Sequence, residues 1–267
     1  MVSTPIGNLS DITLRAIETL RTCDLILCED TRHSRTLLNH LGVETPVQSL
    51  HEHNEARETP RLVERMRQGA RLAQISDAGT PFVSDPGARL VKGAIAGGVR
   101  VIPIPGPSAL LAALVASGLG EGPFTFFGFL PRKRKDRYER LARLSTLDHP
   151  SVLYEAANRV VATLEELQGQ GLAERPAAVA RELTKQFEDV RRGTVSELIE
   201  YYRSMPPRGE VVLVVDGAPA SVADPVILRE AARDMRERGA STREVTQRLV
   251  NEFGASRNVA YRLAHED

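Results

Sequence analysis

Tryptophan is missing from this 267-residue chain, and five Tyr and seven Phe are its whole aromatic complement. So few rings exclude broad stacking on unpaired bases as the main mode of binding. Cysteine is nearly missing too, with only Cys23 and Cys28 present. Two cysteines cannot build a disulfide framework, and a reducing compartment, the cytoplasm, is expected. Four residues separate them, with no second Cys/His pair nearby, so two small residues in a core is the simpler reading than a metal site. No apolar run approaches the roughly 20 residues that span a bilayer. No charged segment followed by an apolar one opens the chain as a signal peptide would. Neither sign of charge is in excess: 35 Lys and Arg face 35 Asp and Glu. That balance does not predict a nucleic-acid partner, and it leaves room for a local basic patch. The dinucleotide fingerprint GxGxxG, the phosphate loop GxxxxGK[ST] and the GxSxG elbow are all lacking. This argues against a nicotinamide dehydrogenase, an NTPase and a serine hydrolase.

What is there alternates. Short apolar runs at Asp24–Cys28, Val47–Leu50, Arg71–Ile75 and Val101–Ile104 read as strands, as do Phe124–Phe129, Ser151–Tyr154, Ala177–Arg181 and Glu210–Val215. Helical patterns fall at Thr13–Leu20, Leu90–Gly97, Ala109–Ser117, Asn158–Gln168 and Thr194–Tyr202. Thr59-Pro60 is expected to open another helix, with Thr as the cap and Pro in the first position. The fold class is α/β. Gly217 to Asp224 reads as a linker, and beyond it the pattern is helical only. Ser241 with Glu244 forms a capping-box start, Phe253–Ser256 a turn, and Asn258–Ala264 a second short helix. This is either a helix-turn-helix or a packed α-hairpin without a nucleic-acid role.

Three Gly/Pro-rich turns follow strand patterns: Ser3–Asn8, Ser76–Pro81 and Pro105–Ser108. In open α/β sheets ligands bind at the carboxyl ends of strands, and loops without bulky side chains let the backbone approach them. A ligand cradle is one reading; tight turns in a compact protein is the other. Two polar bursts follow apolar strands, Cys28–His33 and Leu50–Glu55. They read as catalytic loops rich in His and carboxylates, or as solvated loops. His51 and His53 lack a clear third ligand, so no metal is expected. The basic run Arg132, Lys133, Arg134, Lys135 reads as a solvated face or as a loop that clamps phosphates.

Taken together, these residues resemble the tetrapyrrole-methylase superfamily. Within it the likeness is to the 16S rRNA cytidine 2′-O-methyltransferases. The motifs are STPIGNL at 3–9, EDTR at 29–32, HEHNE at 51–55 and SDAGTP at 76–81. PGPSA at 105–109, GFLP at 128–131, YE at 154–155, ARELTK at 180–185 and GEVVLV at 209–214 follow in family order. The resemblance implies a class III methyltransferase fold of two α/β domains, residues 1–107 and 108–218. A small helical domain at 224–267 would follow. It implies a homodimer, with S-adenosylmethionine bound in the cleft between the α/β domains. Carried over, the donor positions are Asp77, Ala78, Gly79, Thr80, Ser108 and Ala109, with Pro5 and Gly7 shaping the first loop and Tyr154 and Leu183 touching from the second domain. The implied substrate is a cytidine ribose in 16S rRNA of the small ribosomal subunit. Glu29, Asp30, His53 and Glu55 are then candidates for the base, and Arg32, Asn54 and Lys185 for orienting the ribose-phosphate. Arg132 to Lys135 would hold the RNA backbone. The alternatives are a related enzyme acting on a tetrapyrrole or a protein, and a non-catalytic RNA-binding protein. The family carries several apolar residues ahead of its first loop, whereas Met1, Val2 and Ser3 alone precede Thr4 here. The expectation is a clipped first strand, or a native start upstream of residue 1.

Overall fold

The computed structural model describes residues 1–120, 122–219 and 225–266. They fall into two compact units: Met1–Ser145 with His149–Asp216, and Thr146–Asp148 with Gly217–Asp267. The first unit begins with helix α1 (Leu14–Thr22), strand β1 (Leu25–Cys28), α2 (Thr31–His40), β2 (Val47–Ser49), α3 (Glu52–Arg67), β3 (Leu72–Gln74) and α4 (Ala88–Ala96). It continues with α5 (Ala109–Ser117), β4 (Thr125–Phe129), α6 (Arg134–Thr146), β5 (Ser151–Ala156), α7 (Val160–Leu167), β6 (Pro176–Arg181), β7 (Asp189–Thr194), α8 (Val195–Ser204) and β8 (Glu210–Val215). The second unit holds α9 (Pro225–Glu237), α10 (Thr242–Phe253) and α11 (Arg257–His265).

β1 is apolar at every position because both of its faces are covered. Ile26 and Cys28 pack with Ala16 and Leu20 of α1 and Leu38 of α2. Leu25 and Leu27 point the other way, onto Leu62 of α3 and Leu90 of α4. The sheet order is β2-β1-β3, all parallel. Val2 extends it as isolated bridges to Ile75 and Ile104. The second sheet, β4-β5-β8-β6-β7, is antiparallel apart from the β4/β5 pair. Leu110 and Ala113 of α5 cover it, packed on Val152, Ala178, Val212 and Val214.

Four sequence expectations change. The run Val101–Ile104 forms no strand. Pro103 and Pro105 supply no N–H for a ladder, and Ile104 alone bridges Val2. The helix expected to open at Thr59-Pro60 already runs from Glu52, so Pro60 lies inside α3. Ala56 and Pro60 are exposed, so water is at hand for the carbonyl that loses its i+4 donor. Both polar bursts are helix starts rather than open loops: Asp30 caps α2, and His51 caps α3. The basic run is the entry to a helix, since Arg134 and Lys135 sit in the first turn of α6.

In the second unit Leu228, Ala232, Val245, Leu249, Ala260 and Leu263 form a core of their own. Ser241 Oγ accepts the Glu244 N–H at 3.3 Å, and Glu244 Oε2 accepts the Ser241 N–H at 2.8 Å, the expected capping box. Residues 220–224 of the linker, with the boundary at Asp224, lie outside the described residues.

Candidate active site

The three Gly/Pro turns meet at the carboxyl ends of the first sheet's strands. The Thr4 N–H donates to the Gly79 carbonyl at 2.9 Å, and the Gly79 N–H returns a bond to Thr4 O at 3.1 Å. Thr4 Oγ1 donates to Ser76 O at 3.1 Å. Ser3 Oγ donates to Thr80 Oγ1 at 3.3 Å, and Thr80 Oγ1 donates to Pro107 O at 3.2 Å. One hydroxyl thus ties the first, second and third turns together. Gly79 sits at φ +81°, and a Cβ there would lie 3.3 Å from Ile6 Cγ2. The cluster of Gly and Pro in residues 76–87 therefore serves close approach as well as chain reversal.

These turns form one wall of a cavity of about 360 Å³, within the range of small-molecule sites. Asp77, Ala78, Gly79, Thr80, Ser108, Ala109, Tyr154 and Leu183 all line it. Pro5 and Gly7 do not; Ile6 between them does. Gly7 instead packs against the turn at Thr184 and Lys185, whose side chains an added Cβ would meet. Val83, Ser84, Asp85, Phe129, Glu155 and Glu210 complete part of the lining and were not among the sequence candidates. A second cavity of about 350 Å³, beside Met1, Cys23, Arg71 and Leu72, lies at the amino ends of the strands, the end that open α/β sheets do not use for ligands.

Phe82, Ser84, Glu182 and Thr184 are the non-glycine residues with positive φ among those described. All four lie on two turns that border the cavity. Held backbone of this kind clusters at ligand sites. The turn at Glu182 is clasped: its Oε1 accepts the Glu210 N–H and Lys185 Nζ, each at 3.0 Å, and Lys185 Nζ also reaches Glu210 Oε2 at 3.0 Å. The Glu210 N–H, then Lys185, hold the Glu182 carboxyl below its usual range. Burial works to lower the Lys185 ammonium, but the Glu210 and Glu182 carboxylates outweigh it and keep its pKa above the ordinary lysine value.

None of the seven sequence-proposed catalytic residues lines the cavity. Asp30 accepts the backbone N–H groups of Arg32 at 2.8 Å and His33 at 3.4 Å, which lowers its pKa. Glu29 is exposed just ahead of it, and Arg32 extends into solvent. Asn54 Oδ1 accepts the His51 N–H at 2.9 Å and its Nδ2 donates to Ser49 O at 3.1 Å. Glu55 is 5% exposed and accepts the N–H groups of Arg89 and Leu90 at 2.8 and 3.0 Å, capping α4. His53 is exposed, 6.0 Å ring to ring from His51. Among the described residues no cluster suits a metal ion.

Asp85 differs from all of these. It lines the cavity, and burial, then the charges of Glu29 and Asp77, push its pKa up to about 6. Its place in the sequence, Ser-Asp-Pro-Gly, carries the signal of a turn, which hid it. Tyr154 faces the same group. Burial raises its pKa, a hydrogen bond with the Leu110 backbone opposes this, and the Asp85 charge adds to it.

Arg132, Lys133, Arg134 and Lys135 are exposed, while Arg137, one turn on, is buried. Its Nε donates to Glu166 at 2.6 Å, and its Nη2 reaches Thr163 at 2.7 Å and Glu155 at 3.4 Å. In the second unit Arg229, Arg233, Arg238, Arg248 and Arg262 each pair with an acid. Arg243 and Arg257 instead open onto a groove with Gln247, Asn251 and Tyr261 in which no Asp or Glu takes part among the described residues.

The family model for tetrapyrrole (corrin/porphyrin) methylases matches residues 1–199. The chain belongs to the tetrapyrrole methylases. It is therefore a methyltransferase. It is 41% identical over 271 residues to "Ribosomal RNA small subunit methyltransferase I" of Haemophilus influenzae, covering 99% of this chain and 96% of that one. The protein of the same name from Mesorhizobium japonicum is 48% identical over 226 residues, 84% of this chain and 77% of the relative. Among solved structures, uroporphyrin-III C-methyl transferase from Thermus thermophilus, complexed with S-adenyl homocysteine, superposes with a TM-score of 0.58 at 20% identity. That match covers 80% of this chain and 95% of the other, and it establishes the fold. No helix among the described residues of this methylase is long and apolar enough to cross a membrane.

Proposed function

We propose that this methylase modifies the 2′-oxygen of a cytidine ribose in 16S rRNA of the small ribosomal subunit, with S-adenosylmethionine as methyl donor. The observation that carries this reading is the 41% identity, over 99% of the chain, to a relative named for small-subunit rRNA methylation. S-adenosylmethionine would supply an electrophilic methyl group on a sulfonium sulfur. The cavity suits such a ligand. Ile6, Val83, Leu183 and Val212 give it apolar walls for a base and a methionine chain, while Thr80 and Ser108 bring hydroxyls. Gly79 lets the main chain approach without a side chain in the way. Asp77, Ala78, Ala109 and Tyr154 would border the donor, and Pro5 and Gly7 set the course of the first turn. Alignment of a nucleophile with its donor can supply ~7–11 kcal/mol in favourable intramolecular reactions.

The RNA would lie along Arg132, Lys133, Arg134 and Lys135, which are exposed and close in sequence to Phe129 at the cavity. The acid-free groove of Arg243 and Arg257 offers a second cationic surface for phosphates. The working form is a cytoplasmic homodimer. Residues 1–107 and 108–218 act as the two lobes, with the helical region from 224 as an appendage.

The test supplies methyl-labelled S-adenosylmethionine with unmodified 30S subunits, and with naked 16S rRNA alongside. Label should map to the ribose of one cytidine. No label in either RNA, with donor binding intact, would turn the assignment toward a tetrapyrrole or protein substrate.

A further inference from the structure

We propose that the Asp85 carboxylate is the base that takes the proton from the ribose hydroxyl undergoing methylation. This rests on the function proposed above and names the group that the seven sequence candidates left open.

The argument is one of occupancy. The other carboxylates in and beside the cavity are engaged or, in the case of Glu29, lie outside its lining. Asp30 caps α2 and Glu55 caps α4. Glu155 accepts from Thr163 at 2.6 Å and from the Ala156 N–H at 3.0 Å, and pairs with Arg137 and Arg159. Glu182 and Glu210 share Lys185. Asp77 Oδ1 accepts the Asp30 N–H at 3.5 Å. Glu29 is exposed and outside the lining. Asp85 alone among these lines the cavity, is half-buried, and has neither a hydrogen bond nor an ion pair among the described residues.

Its backbone is also held in place. Phe82 and Ser84 precede it at φ 78° and 67°. Just after it the Pro86 carbonyl accepts Gln74 Nε2 at 2.9 Å, and Gly87 turns at φ +127° against the same glutamine. A fixed main chain carrying an unengaged carboxylate into a cavity is what proton abstraction requires.

The step balances. The 2′-oxygen forms a bond to the methyl carbon as the methyl–sulfur bond breaks, its electron pair staying on sulfur. The hydroxyl proton passes to Asp85 and then to solvent. One positive charge is lost at sulfur, and one negative charge is lost at Asp85.

The groups facing Asp85 are Glu29 from the end of β1, Asp77 from the second turn and Tyr154 from β5. Glu155 and Glu210 line the same cavity but are held by arginines and Lys185. With a pKa raised to about 6, Asp85 is ionised and able to accept a proton near neutrality. Turnover should fall as pH drops through that value.

The wild-type labelling experiment is run first, and its failure would bear on the proposed function alone. With wild-type transfer established, D85N should lower the single-turnover rate about 10²–10⁴-fold and abolish the acidic limb of the pH profile. Donor affinity by calorimetry should stay within about threefold, and D85E should recover part of the rate. An unchanged rate, a persisting acidic limb, or lost donor affinity with a normal rate at saturating donor would each overturn the proposal. Thermal unfolding gives a readout independent of activity. A raised carboxyl pKa makes folding easiest below the unfolded value and costs stability as pH rises through the folded one. D85N should therefore raise the midpoint at about pH 8 and leave it unchanged at about pH 4. A lower midpoint at about pH 8 would reveal a stabilising partner for the carboxylate and overturn the proposal.

Discussion

At the scale of single residues, one polar burst supplies a structural acid. Glu55 stands in a stretch rich in His, Asn and Glu, yet its carboxylate is buried under the first turn of α4. Glu55→Ala leaves two N–H groups without an acceptor. It should cost about 1–3 kcal/mol, read as a lower urea midpoint with an unchanged m-value. Arg137→Ala should cost a similar amount, about 1–3 kcal/mol, because it removes the bonds to Glu166 and Thr163 and leaves the buried Glu155 with Arg159 as its cation. Asp85 is the contrasting case: an acid whose neutral replacement is expected to stabilise the fold and disable the chemistry. Nothing in the sequence distinguishes these acids. Whether a carboxylate caps a helix, holds a guanidinium or stands free depends on which distant element arrives beside it.

At the scale of elements, Asn54→Ala should destabilise the chain by about 0.5–2 kcal/mol, since Asn54 joins the His51 N–H to the end of β2 through Ser49. Lost turnover with unchanged stability would instead return Asn54 to the substrate. The apolar elements were legible: α5 and β8 run over the residues that their patterns marked, because burial wrote itself into composition. β7 was missed because Asp189–Thr194 is polar and lies at the sheet edge, where no apolar face is required. The start of α3 was misplaced because Thr59-Pro60 imitates a helix entry, whereas the capping side chain is Asn54 reaching back three residues. Of the site, the Gly/Pro turns were readable as a cradle. The hydroxyl of Thr80 joining three turns was not, since its partners lie as far apart as residues 3 and 107.

At the scale of the whole molecule, zero net charge conceals segregation. Among the described residues of the helical unit five arginines pair with nearby acids, whereas Arg243 and Arg257 line one groove. In the α/β unit four consecutive cations stay exposed while Arg137, one turn on, points inward. Replacing Arg132, Lys133, Arg134 and Lys135 with Ser should weaken RNA binding and make log K less steep against log salt. The slope should shrink by roughly one for each phosphate that is no longer neutralised. An unchanged slope would leave this stretch as a solvated helix entry.

The inward turn of Arg137 also has a mechanical meaning. Its guanidinium bolts the foot of α6 to Glu155, and Glu155 belongs to the strand whose end walls the cavity. Helix and wall are thus two ends of one lever with a buried fulcrum. A load placed on the outer, cationic end is then expected to be felt at the inner one. Amide exchange should report this as a shared opening of α6 and β5 in the native chain, and as two separate openings once the bolt is drawn.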